Sequence, residues 1–178
     1  MKLLLLILVL TVSVACSSDG AKEKSFTAVK DEDVVAVVKG KEITLKDIRS
    51  LYFVDNQDIP IMVEKFVQEE IMVLEAKSTG NDVSEELDSM ELLFPLDNSG
   101  NEDFFESQAD YLGITVEEYY EEYFKERIER DAYVNHLINE RLDISNYRVD
   151  ELEVMDKEIN DFISTLWDKY EEDIEILL

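Results

Sequence analysis

Val34-Val35-Ala36-Val37-Val38-Lys39-Gly40-Lys41-Glu42-Ile43-Thr44 reads as a β-branched strand, a turn at Lys39-Gly40-Lys41 and a second short strand. A lone hairpin is marginal in water, so it calls for a third strand from elsewhere in the chain. The end of the chain, Asp173-Ile174-Glu175-Ile176-Leu177-Leu178, carries the β-branched and aliphatic content to supply it, although its alternation is weak. The expectation is a small antiparallel sheet that joins the two ends of a mainly α domain.

Helical signals fill the interval. Thr44 with Asp47 resembles a capping arrangement, and Leu45, Ile48, Leu51 and Tyr52 follow at helical spacing. Asp58-Ile59-Pro60 starts a second helix, whose Val63, Phe66, Val67, Ile71 and Leu74 line one face until Gly80. Ser84-Glu85-Glu86 opens a third with acids where the helix dipole favours them, and Pro95 ends it. After the loop at 97–101, Phe104 to Leu112 predicts a short helix stopped by Gly113. Thr115 and Glu118 then form a capping box, and apolar positions from Val116 to Ile138 predict a long helix to about Leu142. Beyond the polar link Asp143 to Arg148, Val149, Leu152, Met155, Ile159, Phe162, Ile163, Leu166 and Trp167 predict the last helix, to near Tyr170.

Charge narrows the partners. Asp and Glu number 43 against 17 Lys and Arg, a formal net charge of −26. Nucleic acid is not expected as a partner, because phosphate binding depends on clustered cations. An acidic field favours cationic encounter partners and keeps a protein soluble.

At the other end of the chain, Lys2 precedes the apolar run Leu3 to Cys16, LLLLILVLTVSVAC. A membrane-spanning helix needs about 20 apolar residues, so this run is short for a span and reads as a secretory signal. Ser13-Val14-Ala15-Cys16 resembles a bacterial lipobox, with Ser13 where most carry Leu or another aliphatic residue. The resemblance implies cleavage of residues 1–15 and a diacylglyceryl thioether on Cys16, which places the protein on the extracytoplasmic face of the cell membrane. Two acyl chains make such attachment effectively stable. Cys16 is the only cysteine, so no thiol remains for a disulfide or a nucleophile. Residues 16–32 read as a lipidated, polar tether, and residues 33–178 as one domain of ordinary size.

The strand run 34–44, then Glu69-Glu70-Ile71-Met72-Val73-Leu74-Glu75-Ala76-Lys77-Ser78-Thr79-Gly80, then Val83-Ser84-Glu85-Glu86 and Gly113-Ile114-Thr115-Val116-Glu117-Glu118, resembles in order and spacing the N-terminal chaperone region of SurA-like and PrsA-like proteins. Lys39 stands where that family usually has Asn. The resemblance covers most of residues 34–142, and the final helix and strand look like the segment that completes the module. It implies a helical chaperone fold that holds unfolded or partly folded secreted proteins. Prolyl isomerases of this family carry a parvulin domain between the long helix and the last one. Here only Asp143 to Arg148 separates them, and one His is present, so isomerase activity is not expected.

Other chemistry is thinly supported. His136 and Glu140 lie one turn apart, but no second His or free thiol completes a transition-metal site. Glu117, Glu118, Glu121, Glu122 and Glu126 read as a solvated face, with no calcium loop. No catalytic residue, metal or cofactor is nominated, and an enzyme is not expected. Tyr119 and Tyr120 diverge by about 100° on an α-helix, so both are not expected to face one core, and Tyr119, Tyr120 and Tyr123 are the candidate client-binding residues. The leading expectation is a membrane-anchored chaperone-like lipoprotein. The alternatives are a dedicated interaction or assembly lipoprotein on the same fold, and a small-ligand or cation-binding lipoprotein.

Overall fold

A computed structural model describes residues 29–52, 54–96, 100–142, 147–148 and 151–178. Cys16 and the signal run, most of the tether, Asp143 to Asn146 of the polar link and Val149 lie outside the described residues.

The hairpin closes tightly. Strand β1 (Val34–Val38) pairs antiparallel with β2 (Lys41–Thr44), and Val38 faces Lys41 across the two-residue turn Lys39-Gly40. Both turn residues have positive φ, 51° and 78°, the geometry that matches the twist of the flanking strands and favours Asn-Gly. Lys39 has a compensating role. Its amide donates to the Asp173 carbonyl at 2.8 Å, and its ammonium lies 5.4 Å from the centre of the Tyr170 ring. The third strand, β3 (Ile174–Ile176), pairs antiparallel with β1, and the order is β2-β1-β3. Leu177 continues the ladder, its amide donating to the Val35 carbonyl.

Helix α1 (Leu45–Leu51) starts at a full capping box, with Thr44 and Asp47 each accepting from the other's amide. Helix α2 (Ile59–Ser78) has Pro60 in its first turn and buries Ile59, Val63, Phe66, Val67, Ile71 and Ala76. These residues, the sheet, Leu45 and Ile48 of α1, and Leu137, Leu166 and Tyr170 from farther along form the main core. Residues 29–32, assigned above to the tether, share in it. Val29 packs against this core, the Lys46 amide donates to the Asp31 carbonyl, and Asp31 pairs with Arg49.

A second core forms around α4 (Glu102–Leu112), which ends at Gly113 with φ 69°. Helix α3 (Ser84–Leu93) precedes it and packs mainly on the long helix. That helix begins as α5 (Val116–Glu118) behind the Thr115–Glu118 capping box and continues as α6 (Lys125–Leu142). Between them Tyr119–Phe124 is a π-helix, where an unbroken α-helix is the sequence expectation. The last helix, α7 (Leu152–Tyr170), returns the chain through a 3₁₀ turn to β3. The result is mainly helical, with a small antiparallel sheet joining the ends of the folded segment. Among the described residues no helix is long and apolar enough to cross a membrane.

Candidate functional site

The π-helix corrects the expectation for the tyrosines. Its i→i+5 hydrogen bonds put more residues in each turn, so neighbouring side chains diverge by less than in an α-helix. Tyr119 and Tyr120 therefore enter the same core, 1% and 5% exposed, around Phe105 and Phe124. Tyr120 stacks on Phe124 with ring centres 5.4 Å apart, and Tyr119 stacks on Tyr123 at 6.3 Å. Tyr123 is half-buried and packs against both cores. Both rings are buried in this core, and Tyr120 also borders a small cavity beside Met90 and Ile128.

The open surface lies next to them. One face of α6, carrying Ile128, Asp131, Ala132, Asn135 and His136 at helical spacing, meets Glu86 and Met90 of α3 across a cavity of about 650 Å³. A second cavity of about 310 Å³ shares Met90, Ile128 and Asp131 and runs on past Phe94, Phe104 and Phe105. Together they make one trough with an apolar floor and walls from α3, α4 and α6. Volumes in this range are those of binding clefts. Phe104 and Phe94, which line it, are partly exposed, and at the end of α3 Leu93 and Leu92 are exposed too, the last 83%.

Tyr120 helps to set the wall, because its hydroxyl donates to the Phe94 carbonyl at 3.0 Å. Asp131 stands where the two cavities meet. Loss of solvation pushes its carboxyl above the usual Asp range, with Arg127 pulling it down and Glu69 pushing it up. His136 and Glu140, paired by spacing alone in the sequence, both line the larger cavity. Among the described residues, no group of three His, Cys, Asp or Glu is placed to hold a metal ion.

Behind the trough α6 is fixed to α2 by buried charge. Arg130, 4% exposed, donates to Glu69 and, at 2.6 Å, to Glu70, and its guanidinium lies 4.5 Å from the centre of the Phe66 ring. Lys41 of β2 donates to the other oxygen of Glu70 at 2.9 Å, and the Tyr52 hydroxyl donates to Glu69. Farther along α2, Glu75 accepts from Lys169 and Tyr170 of α7. The buried acids Glu70 and Glu75 thus both belong to α2. Among the sequence candidates none marked Arg130 or Asp131, since nothing local separates them from the other charges of α6.

These ties make stability depend on acid. Burial pushes the Glu70 carboxyl up, but hydrogen bonds from Arg130 and Lys41 outweigh it and hold it below the ordinary 4.5. The hydrogen bond from Lys169, joined by that from Tyr170, lowers Glu75 likewise. A depressed folded value means stabilisation that is complete well above 4.5 and is lost as pH falls through the folded value. Asp131, raised in the fold, contributes with the opposite sign. The expected result is a urea midpoint that declines as the solution is acidified below 4.5, and a flatter acid limb when Glu70 and Glu75 are both replaced by Gln.

No protein-family model matches the chain, and no curated protein or solved structure matches it.

Proposed function

We propose that this chain is an extracytoplasmic lipoprotein, anchored through Cys16, that holds unfolded or partly folded secreted polypeptides in the trough between α3 and α6. The observation that carries the reading is that trough: an apolar floor of Met90, Ile128 and Phe104 left uncovered on an otherwise highly charged chain. Met and aromatic side chains adapt to varied apolar partners, which suits reversible holding without covalent chemistry. The resemblance to SurA-like and PrsA-like chaperone regions, and a lipobox ahead of the fold, support the same location and role. Client contact belongs to the trough wall and rim, and Tyr119, Tyr120 and Tyr123 act by supporting it.

The test is light scattering of two unrelated, chemically denatured proteins diluted into rising amounts of the fragment Ser17 to Leu178. Both are expected to stay in solution near a stoichiometric ratio of fragment. Ala132→Trp, which fills the larger cavity, is expected to abolish the effect with the circular dichroism unchanged. No suppression from a fragment shown to be folded overturns the holdase reading. It leaves the dedicated interaction or assembly lipoprotein, which the exposed Leu92 and Leu93 favour as a contact for one folded partner.

A further inference from the structure

Two carboxylates of the long helix outside the trough have cation partners: Glu121 pairs with Lys125 at 2.8 Å and Glu129 with Lys77 of α2 at 3.2 Å. The trough carries acids of its own. Glu86 enters it from α3, and Asp131 and Glu140 enter it from α6. Among the described residues none of these three has a Lys or Arg within salt-bridge distance. Among the described residues Arg127 is the one Lys or Arg that lines the two cavities, and it offsets part of the Asp131 charge from beyond salt-bridge distance. Its guanidinium lies 5.2 Å from the centre of the Tyr52 ring and donates to the Leu51 carbonyl at 3.4 Å.

The trough therefore combines two properties along its length: apolar contact on the floor and, on both walls, carboxylates without a salt-bridge partner among the described residues. A small cation would leave Met90, Ile128, Phe94 and Phe104 uncovered, and a purely apolar segment would remove water from three carboxylates without replacing it. An amphipathic chain with basic side chains satisfies both. Its elongated form also matches a cleft that runs from Glu140 past Asp131 to Phe104.

We propose that the trough recognises a cationic amphipathic polypeptide segment, its apolar side on Met90, Ile128 and Phe104 and its Lys or Arg side chains meeting Glu86, Asp131 and Glu140. This rests on the trough being the binding site proposed above, and it names the class of segment selected there. Complementary charge speeds encounter and rejects acidic segments, while the apolar floor holds what enters.

Fluorescence anisotropy tests it, with the full chain in phosphatidylcholine nanodiscs and empty discs as the blank. The probes are two dye-labelled 18-residue peptides that share one Leu pattern, one with Lys and the other with Glu at every polar position. The Lys peptide is expected to bind and the Glu peptide to fail. Glu86→Gln, Asp131→Asn and Glu140→Gln together are expected to weaken the Lys peptide by about tenfold or more, with a smaller loss on raising salt in the variant than in the parent. The control Glu121→Gln with Glu129→Gln, both outside the trough, is expected to leave binding unchanged. Equal affinity for the two peptides, or a triple variant that binds as the parent does, overturns the proposal. Charge-selective binding without suppression of aggregation removes the general holdase reading and keeps this one. Suppression with no peptide preference does the reverse.

Discussion

Arg130→Met is expected to destabilise the fold by about 3–5 kcal/mol, the usual cost of removing one partner of a buried charge cluster. The substitution keeps side-chain bulk and contact with Phe66, so the loss is one of charge. Glu70 is left with Lys41, and Glu69 with only the Tyr52 hydroxyl among its described partners. Two carboxylates then face each other behind α6 without the cation that both share. Urea unfolding followed by circular dichroism measures the effect. Arg130→Met with Glu69→Gln and Glu70→Leu supplies the control. It removes the uncompensated charge along with the cation and is expected to recover much of the loss, since whole buried ion clusters are often replaceable by apolar groups. If the single and triple substitutions cost the same, the cluster acts through packing alone.

The same substitution bears on the trough. Arg130 and Asp131 are neighbours on α6 and diverge by about 100°, so the guanidinium that grips α2 fixes the direction in which Asp131 and Ile128 face. Peptide binding in Arg130→Met is accordingly expected to fall further than in Glu129→Gln, whose partner Lys77 lies at the surface.

How much of this was legible in the sequence differs from element to element. The hairpin, both capping boxes and the closing strand were legible because each rests on local chemistry: β-branched runs, Thr with an acid three residues on, and a Gly in the turn. Lys39 was legible only as a departure. What its side chain meets, the Tyr170 ring, comes from the far end of the chain, and no local pattern encodes such a contact. The acids of 69–75 show the same limit. Glu64 is solvated while Glu70 and Glu75 are buried, and what separates them is the partner that the tertiary fold brings: Arg130 from α6, Lys169 from α7. The trough was legible only in part. Ile128 falls within the apolar positions read from Val116 to Ile138, but whether an amphipathic face is covered depends on how α3 crosses α6.

Replacing Tyr119 and Tyr120 together by Ala is expected to unfold the second core, rather than to remove a client contact from an intact surface. Truncating one buried aromatic ring costs about 3–5 kcal/mol, and here two adjacent rings of one cluster are lost. Phe105 packs with both of them and with Phe124, so the cavity opens at the centre of the cluster. Among the described residues the main core shares only Tyr123 with it, and it keeps its own sheet, α1 and α2. Amide exchange is thus expected to lose protection over residues 102–124 while 34–44 and 59–78 stay protected, a local opening of one cooperative unit. Tyr120→Phe separates the ring from the hydroxyl. It keeps the stack on Phe124 and removes the bond to the Phe94 carbonyl, at a cost of about 0.5–1.5 kcal/mol. Because that bond ties the end of α3 to the long helix, Tyr120→Phe is expected to weaken peptide binding in the trough with both cores intact. Uniform loss of protection in the double Ala variant would mean that the two cores form one unit. Full protection with lost binding would return the tyrosines to direct contact with the client.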